Sequence, residues 1–203
     1  MHATAVGAMT RPLLTFARKG EEVFGVRFHP AMSHGLLRAP IAELTDQVID
    51  LEALWGRDAR ALEQRLADAP DFEERVAVIE SALKPPPERT PVQRAAVWIV
   101  ECAGDTDPEE LARHAGLSAR QLRRLCIEQT GVGPKMLCRI VRFRGAANQI
   151  AARATDWASF ALDHGYYDQA HFINEFREFS GLTPSEYASS VKPLAHARGS
   201  ATR

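Results

Sequence analysis

Cysteine is scarce in this 203-residue chain: Cys102, Cys126 and Cys138 are odd in number and at least twelve residues apart. Such a set builds neither a disulfide framework nor a zinc motif, and three buried, reduced thiols are expected. No apolar run reaches the ~18 residues of a membrane span, and the N-terminus lacks the basic-then-apolar order of a signal peptide. The expected compartment is therefore the cytoplasm. Also missing are a nucleophile elbow, a phosphate-binding loop and any metal-ligand spacing among the histidines at 29, 34, 114, 164 and 171. No catalytic role, metal or cofactor is expected. Net charge is nearly absent as well, at -1, but this excludes little because the charge is unevenly spread.

From Ser118 to Arg153 there are eight basic side chains (Arg120, Arg123, Arg124, Lys135, Arg139, Arg142, Arg144, Arg153) against one acid, Glu128. Residues 1–89 carry eleven basic and fourteen acidic ones. A basic stripe, unlike whole-chain charge, is the footprint a polyanion requires. Within it, Ser118 to Gly131 reads as a short two-faced helix. At about 100° per residue, Arg120, Arg123, Arg124 and Ile127 fall on one side and Leu122, Leu125 and Cys126 on the other. Taken alone, such a face is equally well a solvated one.

With 45 % hydrophobic and 25 % charged residues, the chain has the make-up of one ordinary domain or two small ones. The first twenty residues carry few signals beyond a short strand around Leu13 to Phe16. Glu22 to Phe28 alternates, placing Phe24, Val26 and Phe28 on one face of a half-buried strand. Short helical segments follow near Met32 to Arg38, near Ala42 to Thr45 and from Leu51 to Trp55. Ala59, Leu62 and Leu66 then repeat at helical spacing, as do Phe72, Val76, Ile79 and Leu83 after a Pro70-Asp71 break, so an antiparallel helical hairpin is predicted over 58–69 and 72–84. Its apolar stripe serves as intramolecular core or as a self-association face. Lys84 to Pro91, with three consecutive prolines, ends this region (1–84). A spacer over 85–90 precedes a second domain over 91–190, which opens with Thr90 as N-cap and Pro91 at the first helical position, and a disordered tail over 191–203 is expected.

The second half repeats itself. Asp107, Leu111, Ala112, Ala115 and Gly116 recur 49 residues later as Asp156, Phe160, Ala161, His164 and Gly165. Leu122, Cys126, Gly131 and Pro134 recur 50 residues later as Phe172, Phe176, Gly181 and Pro184. Each unit reads as an Asp cap, a two-turn helix, a glycine turn, a second helix capped by Ser118 or Asp168, a terminating glycine and a proline beyond. That is helix-turn-helix twice. Between the units Lys135 to about Ala152 reads as one helix, roughly 27 Å long at about 1.5 Å per residue. This length suits two recognition helices spaced near the ~34 Å separation of successive major grooves.

Residues 90–190 resemble the DNA-binding domain of the AraC/XylS family of bacterial transcription regulators. The text that carries the resemblance is ELARHAGLSARQLRRLCIEQTGVGP in the first unit and DHGYYDQAHFINEFREFSGLTPSEY in the second. Val23 to Gly56 resembles the end of the sensor domain in a subset of these regulators. The resemblance implies a mainly α fold: two helix-turn-helix units on a long linker helix, plus a small α+β N-terminal region with one or two short strands and the helical hairpin. It makes the helices from Ser118 and from Asp168 the two recognition helices.

On that basis Arg120, Gln121, Arg123 and Arg124 are the base-reading candidates of the first helix, arginine being suited to guanine O6 and N7. In the second, Phe172, Phe176 and Phe179 form the buried stripe. Ala170, His171 and Asn174 face outward: Asn174 suits adenine, Ala170 a thymine methyl, and His171 a phosphate or no specific group. Ser118, Lys135, Arg139, Arg142 and Gln169 are phosphate candidates, with an internal salt bridge as the alternative for Arg142. The resemblance also implies double-stranded DNA and RNA polymerase as partners, residence on the nucleoid, and a homodimer through helices 58–84. A small-molecule effector is in doubt, because about thirty residues before the helical part are too few for the family's ligand-binding barrel. The competing reading is a DNA-binding modulator that senses nothing and pairs with another family member.

Overall fold

The structure, a computed structural model, describes residues 2–13, 23–37, 39–83, 89–150 and 156–190. The 191–203 tail, most of the proline spacer, residues 14–16 of the first expected strand and the last residues of the expected linker helix lie outside these. The described elements are two strands, β1 (Thr4–Val6) and β2 (Val48–Asp50), a 3-10 turn at Ile41–Leu44, and helices α1 (Leu51–Trp55), α2 (Arg57–Asp68), α3 (Phe72–Ala82), α4 (Pro91–Glu101), α5 (Pro108–Ala115), α6 (Ala119–Thr130), α7 (Pro134–Gln149), α8 (Trp157–Asp163), α9 (Gln169–Ser180) and α10 (Pro184–Ser190). The fold is mainly helical with one small sheet. Among the described residues no helix is long and apolar enough to cross a membrane.

The helices start where their caps dictate. Thr90 and Gln93 form a reciprocal capping box with Pro91 at the first turn, while Asp107, Asp156 and Asp168 each accept backbone N–H groups of the following turn. They stop at glycines in the left-handed region, Gly131 (φ 83°) and Gly181 (φ 76°), where a side chain would be strained. The hairpin also forms, with Asp71 capping α3.

Two expectations need correction. Residues 23–28 form no strand: Val23 is 80 % exposed, and Phe24 leaves the alternation to pack edge-on against Phe72, ring centroids 5.7 Å apart. The strands lie instead at β1 and β2, antiparallel with Ala5 opposite Ile49, and this two-stranded sheet is supported by α1 and α2 through Ala3, Ala5, Leu51 and Leu62. Met32 to Leu37 is a run of turns rather than a helix, because Ala31 (φ 65°) and Gly35 (φ 83°) both adopt the left-handed conformation that interrupts one.

The repeat divides the C-terminal half into two cores sharing one spine. Leu137, Cys138 and Val141 of α7 join α4, α5 and α6 in the first core. Ala146, near the end of α7, and Ile150 just beyond it join Phe160, Ala161, Tyr166, Phe172 and Phe176 in the second. The second core is aromatic: Phe172 and Phe176 are 0 % exposed, and each such ring contributes about 1.5–3 kcal/mol by burial. The N-terminal half is packed against this frame. Ala31 is buried in the first core, and its carbonyl accepts a 3.2 Å hydrogen bond from Gln93 Nε2.

Candidate nucleic-acid interface

The first candidate helix, α6, buries Leu122, Cys126, Gln129 and Thr130, so its opposite side faces solvent. Arg120, Gln121, Arg123, Arg124 and Ile127 are all exposed there. The Arg124 side chain is 70 % exposed, with Glu128 no closer than 3.9 Å, a pairing weak enough to exchange for a phosphate or a base edge. No acid other than Glu128 lies on this helix. Ser118 and Gln121 close the helix start as a capping box: the Ser118 N–H and hydroxyl both donate to Gln121 Oε1, at 3.0 and 2.7 Å. The carbonyl oxygen of Gln121 is thereby committed to the cap, which leaves its amide nitrogen outward.

The second candidate helix, α9, buries Phe172, Glu175, Phe176 and Phe179 and exposes Gln169, Ala170, His171 and Asn174. His171 occupies the place of Gln121 in the repeat and is also drawn into its cap. Its backbone N–H donates to Asp168 Oδ1 at 2.7 Å, and its Nδ1 accepts from the Tyr167 N–H at 3.3 Å. Asn174, also exposed on α9, takes no part in this cap.

The two units match beyond the residues aligned from sequence. In the first, the Thr130 hydroxyl donates to the Cys126 carbonyl at 2.8 Å and accepts the Val132 N–H at 3.3 Å. In the second, the Ser180 hydroxyl does the same with the Phe176 carbonyl at 2.7 Å and the Leu182 N–H at 3.1 Å. The hydroxyl closes the turn after α6 and again after α9, fifty residues apart, and the same offset applied to the sequence would have found it.

Two phosphate candidates are turned inward. Arg139 and Arg142, on α7, converge on Glu175 of α9, whose side chain is 3 % exposed. Arg139 Nε donates to Glu175 Oε2 at 2.7 Å and its terminal nitrogen to Glu178 at 2.5 Å. Arg142 reaches Glu175 Oε1 at 3.3 Å and stacks over the Tyr166 ring at 5.0 Å. Burial opposes the charge of Arg139, but Glu178 and Glu175 outweigh it and hold the guanidinium above its ordinary range. Both arginines are thus engaged in internal salt bridges, as a buried carboxylate requires partners. Lys135, in contrast, is exposed at the start of α7. The signal for Glu175 was present in the sequence: it falls on the buried stripe between Phe172 and Phe179.

Two stretches of the chain match known domain families. Residues 111–190 match the helix-turn-helix domain family, and residues 2–50 match a domain of unknown function, DUF6597. An uncharacterized HTH-type transcriptional regulator of Haemophilus influenzae is 31 % identical over 83 residues, 41 % of this chain and 28 % of that protein. A transcriptional regulator with an AraC-type DNA-binding domain from Chromobacterium violaceum is 21 % identical, with a TM-score of 0.46 over 49 % of this chain and 89 % of that one. The C-terminal domain of AraT, a response regulator from Geobacillus stearothermophilus, is 20 % identical, with a TM-score of 0.49 over 57 % of this chain and 98 % of that one. The matched stretch from 111 to 190 holds most of the two capped units described above, and the helix-turn-helix domain is what this part of the chain is similar to.

Proposed function

We propose that the chain is a sequence-specific DNA-binding transcription regulator that inserts α6 and α9 into successive major grooves. The observation that carries this is the solvent face of α6, where Arg120, Arg123 and Arg124 stand together opposite the side that buries Leu122 and Cys126. Arg123 and Arg124 read bases, with Arg120 beside them and Gln121 contributing its amide nitrogen. In α9 Asn174 reads a base, Ala170 meets a thymine methyl and His171 lines the groove edge. Lys135, Gln169 and the Ser118 helix start hold phosphates, the class of contact that supplies most of the affinity.

The helical hairpin gives the second part of the reading. Phe72 of α3 is 47 % exposed and Val78 and Ile79 are only partly covered by the hairpin core, leaving apolar surface that a second copy of the chain would cover. We therefore assign homodimerisation to α2 and α3. The same face also favours a modulator that pairs with another family member. Sedimentation of the chain with and without residues 1–84 separates the two, since a homodimer is lost on truncation and a monomer is unchanged.

Selection of genomic DNA fragments by the purified full chain, at stated salt, tests the central reading. A bipartite motif is the expected result. Failure to enrich any site above non-specific background would overturn it.

A further inference from the structure

Glu175 is a carboxylate on the buried stripe of α9, 4 % exposed. Fifty residues earlier the same place in the repeat is Leu125, which packs on the first core. One recognition helix offers an apolar side chain here and the other a charge. The difference matters because apolar contact is not directional. Phe143 of α7 meets Phe176 and Phe179 at 5.0 and 5.1 Å, and rings in such contact slide with little change in buried area. A guanidinium-carboxylate contact is short and directional. Arg139 and Arg142, one turn apart on α7, grip the two oxygens of one carboxylate at 2.7 and 3.3 Å. Arg139 also holds Glu178, the next turn of α9. Two such grips fix both the translation of α9 along α7 and its rotation. Burying charges offsets most of their attraction, so the best attested use of such a cluster is to specify one geometry.

We infer that Glu175 is a positioning residue: by locking α9 to Arg139 and Arg142 of α7, it sets the offset between the two recognition helices and hence the half-site spacing the chain accepts. The inference rests on the two-groove reading. Because α7 contributes Leu137, Cys138 and Val141 to the first core and Ala146 to the second, any slip of α9 on α7 is a slip of one recognition helix relative to the other. On DNA, one base pair added between half-sites moves the second by about 3.4 Å and turns it by about 35°. A locked α9 cannot follow that change.

The probe is the bipartite duplex that the wild-type full chain selects from a random pool, remade with one base pair added to or removed from the spacer. Wild type should prefer the selected spacing by roughly tenfold or more, as for a mismatched site. Glu175→Gln, and Glu175→Met with similar volume and no charge, should reduce that preference to about twofold. Both should still lose affinity for the first half-site when it is mutated. Variants that keep the wild-type spacing preference overturn the inference and leave the two-groove reading intact. A wild type that selects a single half-site overturns the inference too, and one that selects nothing overturns the reading beneath it. If both variants lose the helical circular-dichroism signal under conditions where wild type keeps it, Glu175 only maintains the fold and the positioning role is wrong.

Discussion

The Thr45 hydroxyl donates a 2.8 Å hydrogen bond to the carbonyl of Gly131, eighty-six residues away. Gly131 ends α6 in the left-handed conformation, so the end of α6 is fastened to the N-terminal half of the chain. The approach is close: a Cβ at Gly131 would lie 2.5 Å from Thr45 Oγ1 and 3.1 Å from the Ile41 carbonyl oxygen.

Gly131→Ala should therefore cost more than Gly116→Ala. Gly116 is also left-handed, φ 69°, but a Cβ there meets nothing within 4 Å, so its cost is conformational strain alone, about 1–2 kcal/mol. Adding Thr45→Ala to Gly131→Ala should recover the part of the clash owed to Thr45 Oγ1, leaving the strain and the Ile41 carbonyl contact. Chemical denaturation of the four proteins measures this, and equal losses for the two glycines would contradict the packing described.

Sequence reading should be concentrated in the first unit. Arg124→Ala is expected to weaken binding to the selected site by about 1–3 kcal/mol, and Asn174→Ala by less, because α6 presents three arginines where α9 presents Ala170, Ile173 and Asn174. Fluorescence anisotropy titrations at fixed salt decide it, a larger loss from Asn174→Ala being the contrary result.

Acid should weaken the helix starts. The Glu110 N–H chiefly holds the Asp107 carboxyl below its usual range, and the Ser159 hydroxyl and N–H do so for Asp156. A carboxyl whose pKa is depressed on folding contributes stability that is fully present above its unfolded value and is lost as pH falls through the folded one, that is, below about pH 4. The Asp107→Asn/Asp156→Asn protein keeps capping side chains without the titration. Its melting temperature should fall less than that of wild type between about pH 5 and about pH 3. Parallel declines would show that these caps do not carry the pH dependence.

The thiols should be quiet. Burial pushes Cys126 and Cys138 each up to about 11, so neither forms a thiolate near neutrality. Cys102 is half-buried and also raised, chiefly by desolvation. At pH near 8 a thiol reagent should label Cys102 in the native chain and the other two only after denaturation. Fast labelling of all three would contradict the buried placement.

Much of this was legible without coordinates because it is local. The Asp107, Ser118, Asp156 and Asp168 caps, the Gly131 and Gly181 stops and the Leu122, Cys126, Phe172, Phe176 stripes each obey rules spanning a few residues. The strand pairing was not, since β1 and β2 are three residues long and their partner relation spans over forty residues of intervening chain. Val23 to Phe28 carried the alternation of a strand, yet Phe24 packs against Phe72, which lies far away in the sequence.

By itself, then, the sequence determined two capped helix-turn-helix units fifty residues apart and the arginine face of the first, because capping, periodicity and glycine conformation act within one or two turns. Only the tertiary structure decided which charges remain outside. Arg139 and Arg142 look like Arg123 and Arg124 on the page, but the packing of α9 on α7 sets a buried Glu175 before them, and a carboxylate removed from water takes the nearest cations.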